Sequence, residues 1–116
     1  MNTLSSHVLD TTLGKPASGI ALTLTLPNGK TLDGTTDDDG RCKQWLGLGL
    51  EQKQVEASFE AGIYTLRFHC KAYLEANHKQ CFYPHIDITF ELEPNGGHYH
   101  VPLLISPFGF SSYRGS

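Results

Sequence analysis

Apolar and polar residues alternate with a period of two along most of the chain, and helical periodicity is nearly absent. In residues 20–26 isoleucine and leucines point to one face, while alanine and threonines point to the other. The same alternation recurs in residues 64–70 and is clearest in residues 86–93, where apolar residues alternate with acidic residues and threonine. Such segments are typical of strands with one buried and one wet face. The pattern therefore predicts an all-β protein.

Turn signals and one helical segment separate these strands. The Pro-Asn-Gly sequence at residues 27–29 predicts a hairpin turn because an Asn-Gly pair tolerates positive φ, and residues 30–36 should return as the partner strand. Residues 71–78 are the only octet of good helix formers. Residues 45–54 are predicted to form a loop with one short strand. About seven or eight short strands indicate an antiparallel β-sandwich with one short helix.

Length, charge and composition exclude several classes of function. The chain has 116 residues, of which 39% are hydrophobic and 18% are charged, so we expect a single domain over residues 1–116. A net charge of −3 provides no basic surface for a phosphate backbone, and we expect no nucleic-acid partner. No apolar run approaches the roughly 20 residues of a membrane helix, so no membrane partner is expected. Three cysteines without metal or redox spacing, and no secretory signal, predict reduced thiols in a cytoplasmic protein.

The strand predicted for residues 98–105 carries apolar side chains on both faces. Pro102 has no N–H to donate, which indicates a sheet edge or an interrupted ladder at that position. In a small antiparallel domain one face of a strand should be wet, so a second apolar face indicates burial by another subunit and predicts a homo-oligomer. The two faces consist of His98, His100, Pro102 and Leu104 and of Tyr99, Val101, Leu103 and Ile105.

His98 and His100 are the most informative candidates for chemistry. Residues two apart on a strand share a face, so these imidazoles can share a ligand, a proton or a metal ion. Because residues 95–97 form a turn signal, both can equally be surface histidines. A zinc site needs three or four ligands, and no cysteine or carboxylate is placed to complete the set. Acid–base catalysis is the third interpretation, since imidazole titrates near neutral pH.

Two residues far from this pair are weaker candidates on sequence grounds. His7 lies on a strand predicted for residues 4–9, where a lone histidine is more often structural than catalytic. Arg41 follows an Asp-Asp-Asp-Gly loop, and its simplest role is a surface salt bridge to one of those aspartates. Three aromatic side chains and an arginine in residues 108–116 predict a docked tail rather than a frayed one.

One further pattern runs from end to end of the chain. It consists of residues 4–10 (LSSHVLD), 14–17 (GKPA), 39–41 (DGR), 62–64 (GIY), 82–84 (FYP), 98–104 (HYHVPLL) and 113–116 (YRGS). These segments, and the closing tetrapeptide above all, resemble the 5-hydroxyisourate hydrolases, also called transthyretin-related proteins. Transthyretin itself is a carrier with the same sandwich, but its pattern has other residues at His7, Arg41 and the histidine pair, and a different tail.

The resemblance implies a transthyretin-like fold and a homotetramer whose active sites lie where two dimers meet. The implied reaction is hydrolysis of 5-hydroxyisourate, the product of urate oxidation, to 2-oxo-4-hydroxy-4-carboxy-5-ureidoimidazoline. Water opens the six-membered ring, and the resemblance implies no cofactor and no metal. The alternative is a transthyretin-like carrier that binds a small ligand without catalysis.

The resemblance also assigns roles to individual residues. His100 and His7 would activate water, one as the base and the other as an orienting group or proton donor. Arg41 would bind an anionic ring and the charge that develops on the attacked carbonyl. The carboxylate of Ser116 would hold a histidine or arginine in place. The expected catalytic residues are His7, Arg41, His100 and Ser116, and the expected substrate contacts are His7, Arg41, His98 and Tyr113.

Overall fold

The computed structural model describes residues 2–47, 54–55 and 59–115. In these residues, eleven strand segments and one helix are arranged in two β-sheets. The elements are β1 (Thr3–Asp10), β2 (Lys15–Pro16), β3 (Ala21–Thr25), β4 (Thr31–Thr35), β5 (Arg41–Cys42), β6 (Trp45–Gly47), β7 (Gln54–Val55), β8 (Gly62–His69), α1 (Lys71–His78), β9 (Ile86–Leu92), β10 (His98–Ile105) and β11 (Phe110–Ser112).

One sheet has the strand order β11-β10-β1-β2, with β5 also paired to β1, and the other has the order β7-β6-β4-β3-β8-β9. The predicted β-sandwich with one short helix is therefore confirmed. The described segments outnumber the predicted seven or eight because β2, β5 and β7 have only two residues each. An alternating pattern needs about four residues to be recognised, so strands this short leave no signal in the sequence.

The clearest local predictions match the structure. β3 and β4 pair across the predicted turn, where Gly29 has a φ of 87°. Helix α1 spans the predicted octet and ends at Lys79, which adopts the left-handed conformation. β6 is a short strand inside the predicted loop, while residues 48–53 lie outside the described residues.

The core lies between the two sheets and consists of the side chains that the alternation places on one face. Leu22, Leu24, Leu66 and Phe68 are all fully buried there. Trp45 is also buried, and its indole N–H donates a hydrogen bond of 2.9 Å to the carbonyl of Leu4. Because Trp45 belongs to one sheet and Leu4 to the other, this bond fixes the sheets relative to each other.

A buried carboxylate fastens helix α1 to the end of β1. Asp10 accepts hydrogen bonds from the Tyr73 hydroxyl at 2.9 Å and from His78 Nε2 at 2.7 Å. Its other oxygen accepts from the backbone N–H groups of Thr12 and Leu13. Burial would raise the pKa of Asp10, but these hydrogen bonds outweigh burial and the pKa is lowered. The helix is thus anchored beside the strand that carries His7.

The pairing of β1 with β10 departs from the antiparallel prediction. The two strands are parallel and in register from the Thr3–His98 pair to the Asp10–Ile105 pair. The other strand pairs of the described chain are antiparallel. Strands so far apart in sequence are joined through the second sheet, so no hairpin forces them to run in opposite directions.

The prediction of a sheet edge at Pro102 is wrong, because β10 lies between β1 and β11. The prediction of an interrupted ladder is confirmed. The ladder to β11 ends at the Leu103–Ser112 pair and resumes only at the isolated bridge between His100 and Gly115. Between them, the Pro102 carbonyl accepts a hydrogen bond of 2.7 Å from Ser112 Oγ. Pro102, which has no N–H to donate, therefore lies in the gap of the ladder, where a side-chain hydrogen bond takes the place of a backbone one.

The predicted free thiols are confirmed. Cys42 and Cys70 are buried, Cys81 is half-buried, and none of the three forms a disulfide. Burial raises the pKa of both Cys42 and Cys70 to about 11, so these two thiols are protonated and unreactive near neutral pH. No helix in the described part of the chain is long and apolar enough to cross a membrane.

Candidate active site

The parallel register places polar side chains of β1 beside the two histidines of β10. Side chains of odd-numbered residues at the start of β1 point away from the core, as do those of even-numbered residues in β10. β5 pairs with β1 in addition, with Arg41 opposite His7. The sheet thus carries one outward face formed by Thr3, Ser5, His7, Arg41, His98 and His100. We call these six residues the histidine face.

Ser5 connects the two histidines of β10. Its Oγ lies 2.9 Å from His98 Nε2 and 2.7 Å from His100 Nδ1. The Oγ1 of Thr3 lies 2.6 Å from the other ring nitrogen of His98, Nδ1. The two imidazoles are stacked at a centroid distance of 6.5 Å. His98 and His100 are therefore linked surface groups rather than two independent histidines beside a turn.

His7 is oriented by a backbone carbonyl. Its Nε2 lies 2.8 Å from the carbonyl oxygen of Asp39, and because a carbonyl only accepts, Nε2 must carry the proton. In the neutral ring the remaining nitrogen, Nδ1, is then free to accept a proton. The ring centroids of His7 and His100 are 6.3 Å apart. The two imidazoles are therefore neighbours on the histidine face.

Arg41 does not form the predicted surface salt bridge. Among the described residues its guanidinium makes no ion pair, and Asp37 Oδ1 instead accepts a hydrogen bond of 2.9 Å from the Arg41 backbone N–H. The Asp37 carboxylate is thereby engaged in closing its own turn. The exposed guanidinium next to His7 remains available to bind an anion.

The electrostatics of the histidine face favour a neutral His100. Burial lowers the pKa of this imidazole, and repulsion from Arg41, and from His7 and His98 whenever those rings are protonated, lowers it further. A neutral imidazole that is half-buried beside an exposed guanidinium can accept a proton from water near neutral pH. The histidine face can therefore combine a base with an anion-binding group.

The predicted docking of the tail is confirmed for its described part. The Gly115 N–H donates a hydrogen bond of 2.8 Å to the His100 carbonyl, and the Arg114 guanidinium lies 4.3 Å from the centre of the Tyr99 ring. A Cβ on Gly115 would lie 2.7 Å from His100 Cδ2, so only glycine allows this close approach. The tail backbone thus packs against the imidazole of His100.

The structure brings together four of the predicted site residues, namely His7, Arg41, His98 and His100. Tyr113 is 59% exposed and lines a cavity of about 610 Å³ between β9 and the tail, whose lining does not include the histidine face. Ser116 lies outside the described residues. Substrate binding by Tyr113 and catalysis by Ser116 stay predictions.

Thr3 and Ser5 are site residues that were not predicted from the sequence. Their period-two spacing with His7 was a usable signal, since it places all three on one face of a strand. The contacts with His98 and His100 also require the parallel register, which no local pattern reveals. No group of three or more His, Cys, Asp or Glu side chains within the described chain is arranged to hold a metal ion.

The chain is similar to proteins of one known family. Residues 4–115 match the HIUase/Transthyretin family. The chain is 39% identical over 120 residues to the 5-hydroxyisourate hydrolase of Salmonella dublin, which covers 99% of this chain and 82% of the relative. The structure of this chain is similar to that of Klebsiella pneumoniae 5-hydroxyisourate hydrolase, with a TM-score of 0.80 and 32% identity. The match covers 100% of this chain and 94% of the Klebsiella chain. The structure is also similar to that of transthyretin from Sparus aurata, with a TM-score of 0.78, 28% identity and coverage of 97% and 96%.

We expect the imidazole of His100 to titrate below 6.5, the ordinary value for histidine. Replacing Arg41 with Gln removes a positive neighbour and should raise the pKa of His100, because less repulsion opposes its charged form. An NMR titration of the ring Cε1–H signal measures both effects. The control is Arg67→Gln, which removes an arginine paired with Asp87 in the other sheet and should leave His100 unchanged. A His100 midpoint at or above 6.5, unmoved by Arg41→Gln, would contradict the electrostatic account.

Proposed function

We propose that this chain, which belongs to the HIUase/Transthyretin family, hydrolyses 5-hydroxyisourate to 2-oxo-4-hydroxy-4-carboxy-5-ureidoimidazoline in urate degradation. The observation that carries the proposal is the histidine face, on which two imidazoles lie 6.3 Å apart beside an exposed guanidinium. Opening the substrate ring consumes one water molecule: its oxygen bonds to a ring carbonyl carbon and the carbon–nitrogen bond breaks. The reaction needs proton transfer and charge stabilisation, and the proposed mechanism uses no cofactor.

Both imidazoles take part in the proton transfers. His100 takes a proton from water as its oxygen attacks, because burial and positive neighbours lower the pKa of His100 and keep the ring neutral. His7 is held through Nε2 by the Asp39 carbonyl, so its Nδ1 moves or orients the second proton. The departing ring nitrogen must receive a proton for the ring to open. Activity should therefore fall as the pH drops through the lowered pKa of His100.

Arg41 binds the anionic substrate in this mechanism. Its planar guanidinium can donate two parallel hydrogen bonds to the heterocycle or to the oxygen that gains charge during attack. His98 contacts substrate or supports His100. We extend the proposal to Tyr113 as a substrate contact and to the Ser116 carboxylate as a group that holds a histidine or arginine.

A small-ligand carrier is the second candidate, and the similarity to transthyretin favours it. A carrier needs a complementary cavity but no base near neutral pH. The lowered pKa of His100 and a guanidinium at Arg41 without an ion pair to any described residue are features that catalysis uses and simple carriage does not require.

Ultraviolet spectroscopy of freshly prepared 5-hydroxyisourate tests the proposal. The folded wild-type protein should accelerate loss of the substrate signal far beyond spontaneous decay, in proportion to protein concentration. A His100→Asn variant should lose most of this acceleration, since general acid–base groups contribute roughly a hundredfold or more to rate. Stoichiometric binding of the compound without acceleration would support the carrier and overturn the hydrolase.

Replacing Arg41 with Lys should reduce kcat/KM by at least about tenfold. Lysine keeps the positive charge but loses the planar pair of donors that matches the substrate and the developing oxyanion. Thermal denaturation should show little change, because the Arg41 side chain is exposed. The matched control is Arg67→Lys in β8, which should retain full activity. Near-normal kcat/KM in Arg41→Lys would contradict the binding role.

The proposed assembly is a homotetramer. Leu104 lies on the outward face of β10 and is half-buried in the single chain, and β9 and β11 are edge strands with open hydrogen-bonding groups. Large apolar side chains are also exposed in the single chain, which supports their burial between subunits. They include Leu13, Ile63, Phe82, Phe108, Phe110 and Tyr113.

A Leu104→Glu variant should dissociate the assembly. It would place a charge in an apolar interface without a partner, at a cost of several kcal/mol. Analytical ultracentrifugation should show a tetramer for the wild type and smaller species for the variant. Ser18→Glu adds the same charge at an exposed loop position and should leave the tetramer intact. A wild type that sediments as a monomer would defeat the proposal.

We also propose that the protein acts in the cytoplasm. Its three cysteines are free, and two of them are buried with raised pKa values. Reduced thiols of this kind suit a compartment that glutathione and thioredoxin keep reducing. The proposed partners are the small-molecule substrate and further copies of the same chain, without nucleic acid or membrane.

A further inference from the structure

We infer that Ser5 is a positioning residue whose hydroxyl couples His98 to His100 and determines which nitrogen of His100 is free to take a proton. The inference rests on the proposed function, since the position of that proton matters only if His100 transfers protons. It adds to the proposed mechanism a residue that touches neither water nor substrate.

The geometry allows few arrangements of the protons. Ser5 is 7% exposed, and its Oγ has two ring nitrogens within hydrogen-bond distance, His100 Nδ1 at 2.7 Å and His98 Nε2 at 2.9 Å. A serine hydroxyl has one proton to donate. It can therefore donate to only one imidazole, and the other imidazole must present an N–H to the serine oxygen. The protonation patterns of the two rings are linked through Ser5.

If His100 is to act as a base, only one of the two directions of hydrogen bonding through Ser5 is possible. Nδ1 of this ring faces Ser5, so Nε2 is the nitrogen that can accept a proton from water. With Nε2 bare, Nδ1–H donates to Ser5 Oγ, and the Ser5 hydroxyl donates to His98 Nε2. The proton of neutral His98 then sits on Nδ1, where it can be donated to Thr3 Oγ1 at 2.6 Å. These hydrogen bonds form one series from His100 through Ser5 and His98 to Thr3.

The direction of the hydrogen bonds that link His100, Ser5 and His98 can reverse after His100 has taken a proton. When Nε2 accepts the proton of the attacking water, His100 becomes an imidazolium with protons on both nitrogens. Its Nδ1 proton can pass to Ser5 as the Ser5 proton passes to His98 Nε2. The charge then resides on His98, and His100 is neutral with its proton on Nε2. No proton is gained or lost in this exchange.

Exposure favours this transfer of charge. His98 is exposed, whereas His100 is half-buried, and water stabilises an exposed imidazolium better. The positive charge of Arg41 also disfavours charge on His100. When the ring nitrogen departs, His98 Nε2 returns its proton to Ser5 as Ser5 returns its own proton to His100 Nδ1. The Nε2 proton of His100 passes to the departing nitrogen in the same step, so His100 and His98 both end neutral, with the His100 proton on Nδ1. One histidine would thus act first as base and then as acid, while His98 holds the charge.

The test compares Ser5→Ala with Ser6→Ala. Ser6 is adjacent on β1, but its Oγ donates to the Val101 carbonyl at 2.7 Å and does not contact the histidines. Two-dimensional long-range ¹H–¹⁵N NMR of protein labelled at histidine reports the tautomer of each ring, with or without turnover. The ultraviolet assay of 5-hydroxyisourate gives kcat and KM for the same samples. Ser5→Thr is the conservative variant that keeps a hydroxyl.

In the wild type we expect neutral His100 to carry its proton on Nδ1. Ser5→Ala should move the His100 population towards the Nε2–H form that a free histidine prefers, and should lower kcat about tenfold or more with little change in KM. Ser6→Ala should keep both the wild-type tautomer and the wild-type kcat, and Ser5→Thr should restore both properties.

Three results would separate the possible failures. A wild-type His100 with its proton on Nε2, or a Ser5→Ala protein with unchanged His100 tautomer and kcat, would overturn the inference. The wild-type spectrum alone decides the first point if Ser5→Ala does not fold. A wild type with the expected tautomer but no hydrolysis would instead overturn the proposed function.

Discussion

The parallel, in-register pairing of β1 with β10 is the interaction on which the candidate site depends. It brings Ser5 within hydrogen-bond distance of His100, a residue 95 positions away in the sequence. The inward side chains of these strands belong to the core. A slip of the strand register by one residue would therefore expose Val8 and Leu103 to water. Core packing therefore also determines which polar side chains meet on the histidine face.

Hydrogen bonds within this arrangement give the two proposed catalytic imidazoles different free nitrogens. The Asp39 carbonyl engages Nε2 of His7 and leaves Nδ1, whereas Ser5 engages Nδ1 of His100 and leaves Nε2. A neighbouring carbonyl and a neighbouring hydroxyl thus orient the rings before any ligand binds. Such preorganisation avoids part of the cost of reorienting polar groups during reaction.

Local sequence patterns predicted the longer elements and the β3–β4 hairpin, but neither the two-residue strands nor the parallel pairing of β1 with β10. Alternation over residues 86–93 predicted β9, and helix-forming residues predicted α1, because each signal is contained in a single segment. The resemblance to a family singled out His7 and Arg41, for which local chemistry favoured structural roles. The contacts of Ser5 could not be predicted, since they depend on a parallel register between segments that no local pattern connects. Likewise, nothing in the sequence around Tyr113 indicates that it lines a cavity separate from the histidine face.

The central claim is that His7 and His100 act as one catalytic unit held together by the β1–β10 pairing. A double-mutant cycle on kcat/KM with His7→Asn, His100→Asn and the double variant measures this directly, after each protein has been shown to fold. Groups that act together lose their effect together, so the double variant should be little worse than the poorer single variant, with a coupling of at least about 1.4 kcal/mol. Losses that simply add in free energy would show that the two histidines act independently and would contradict the account.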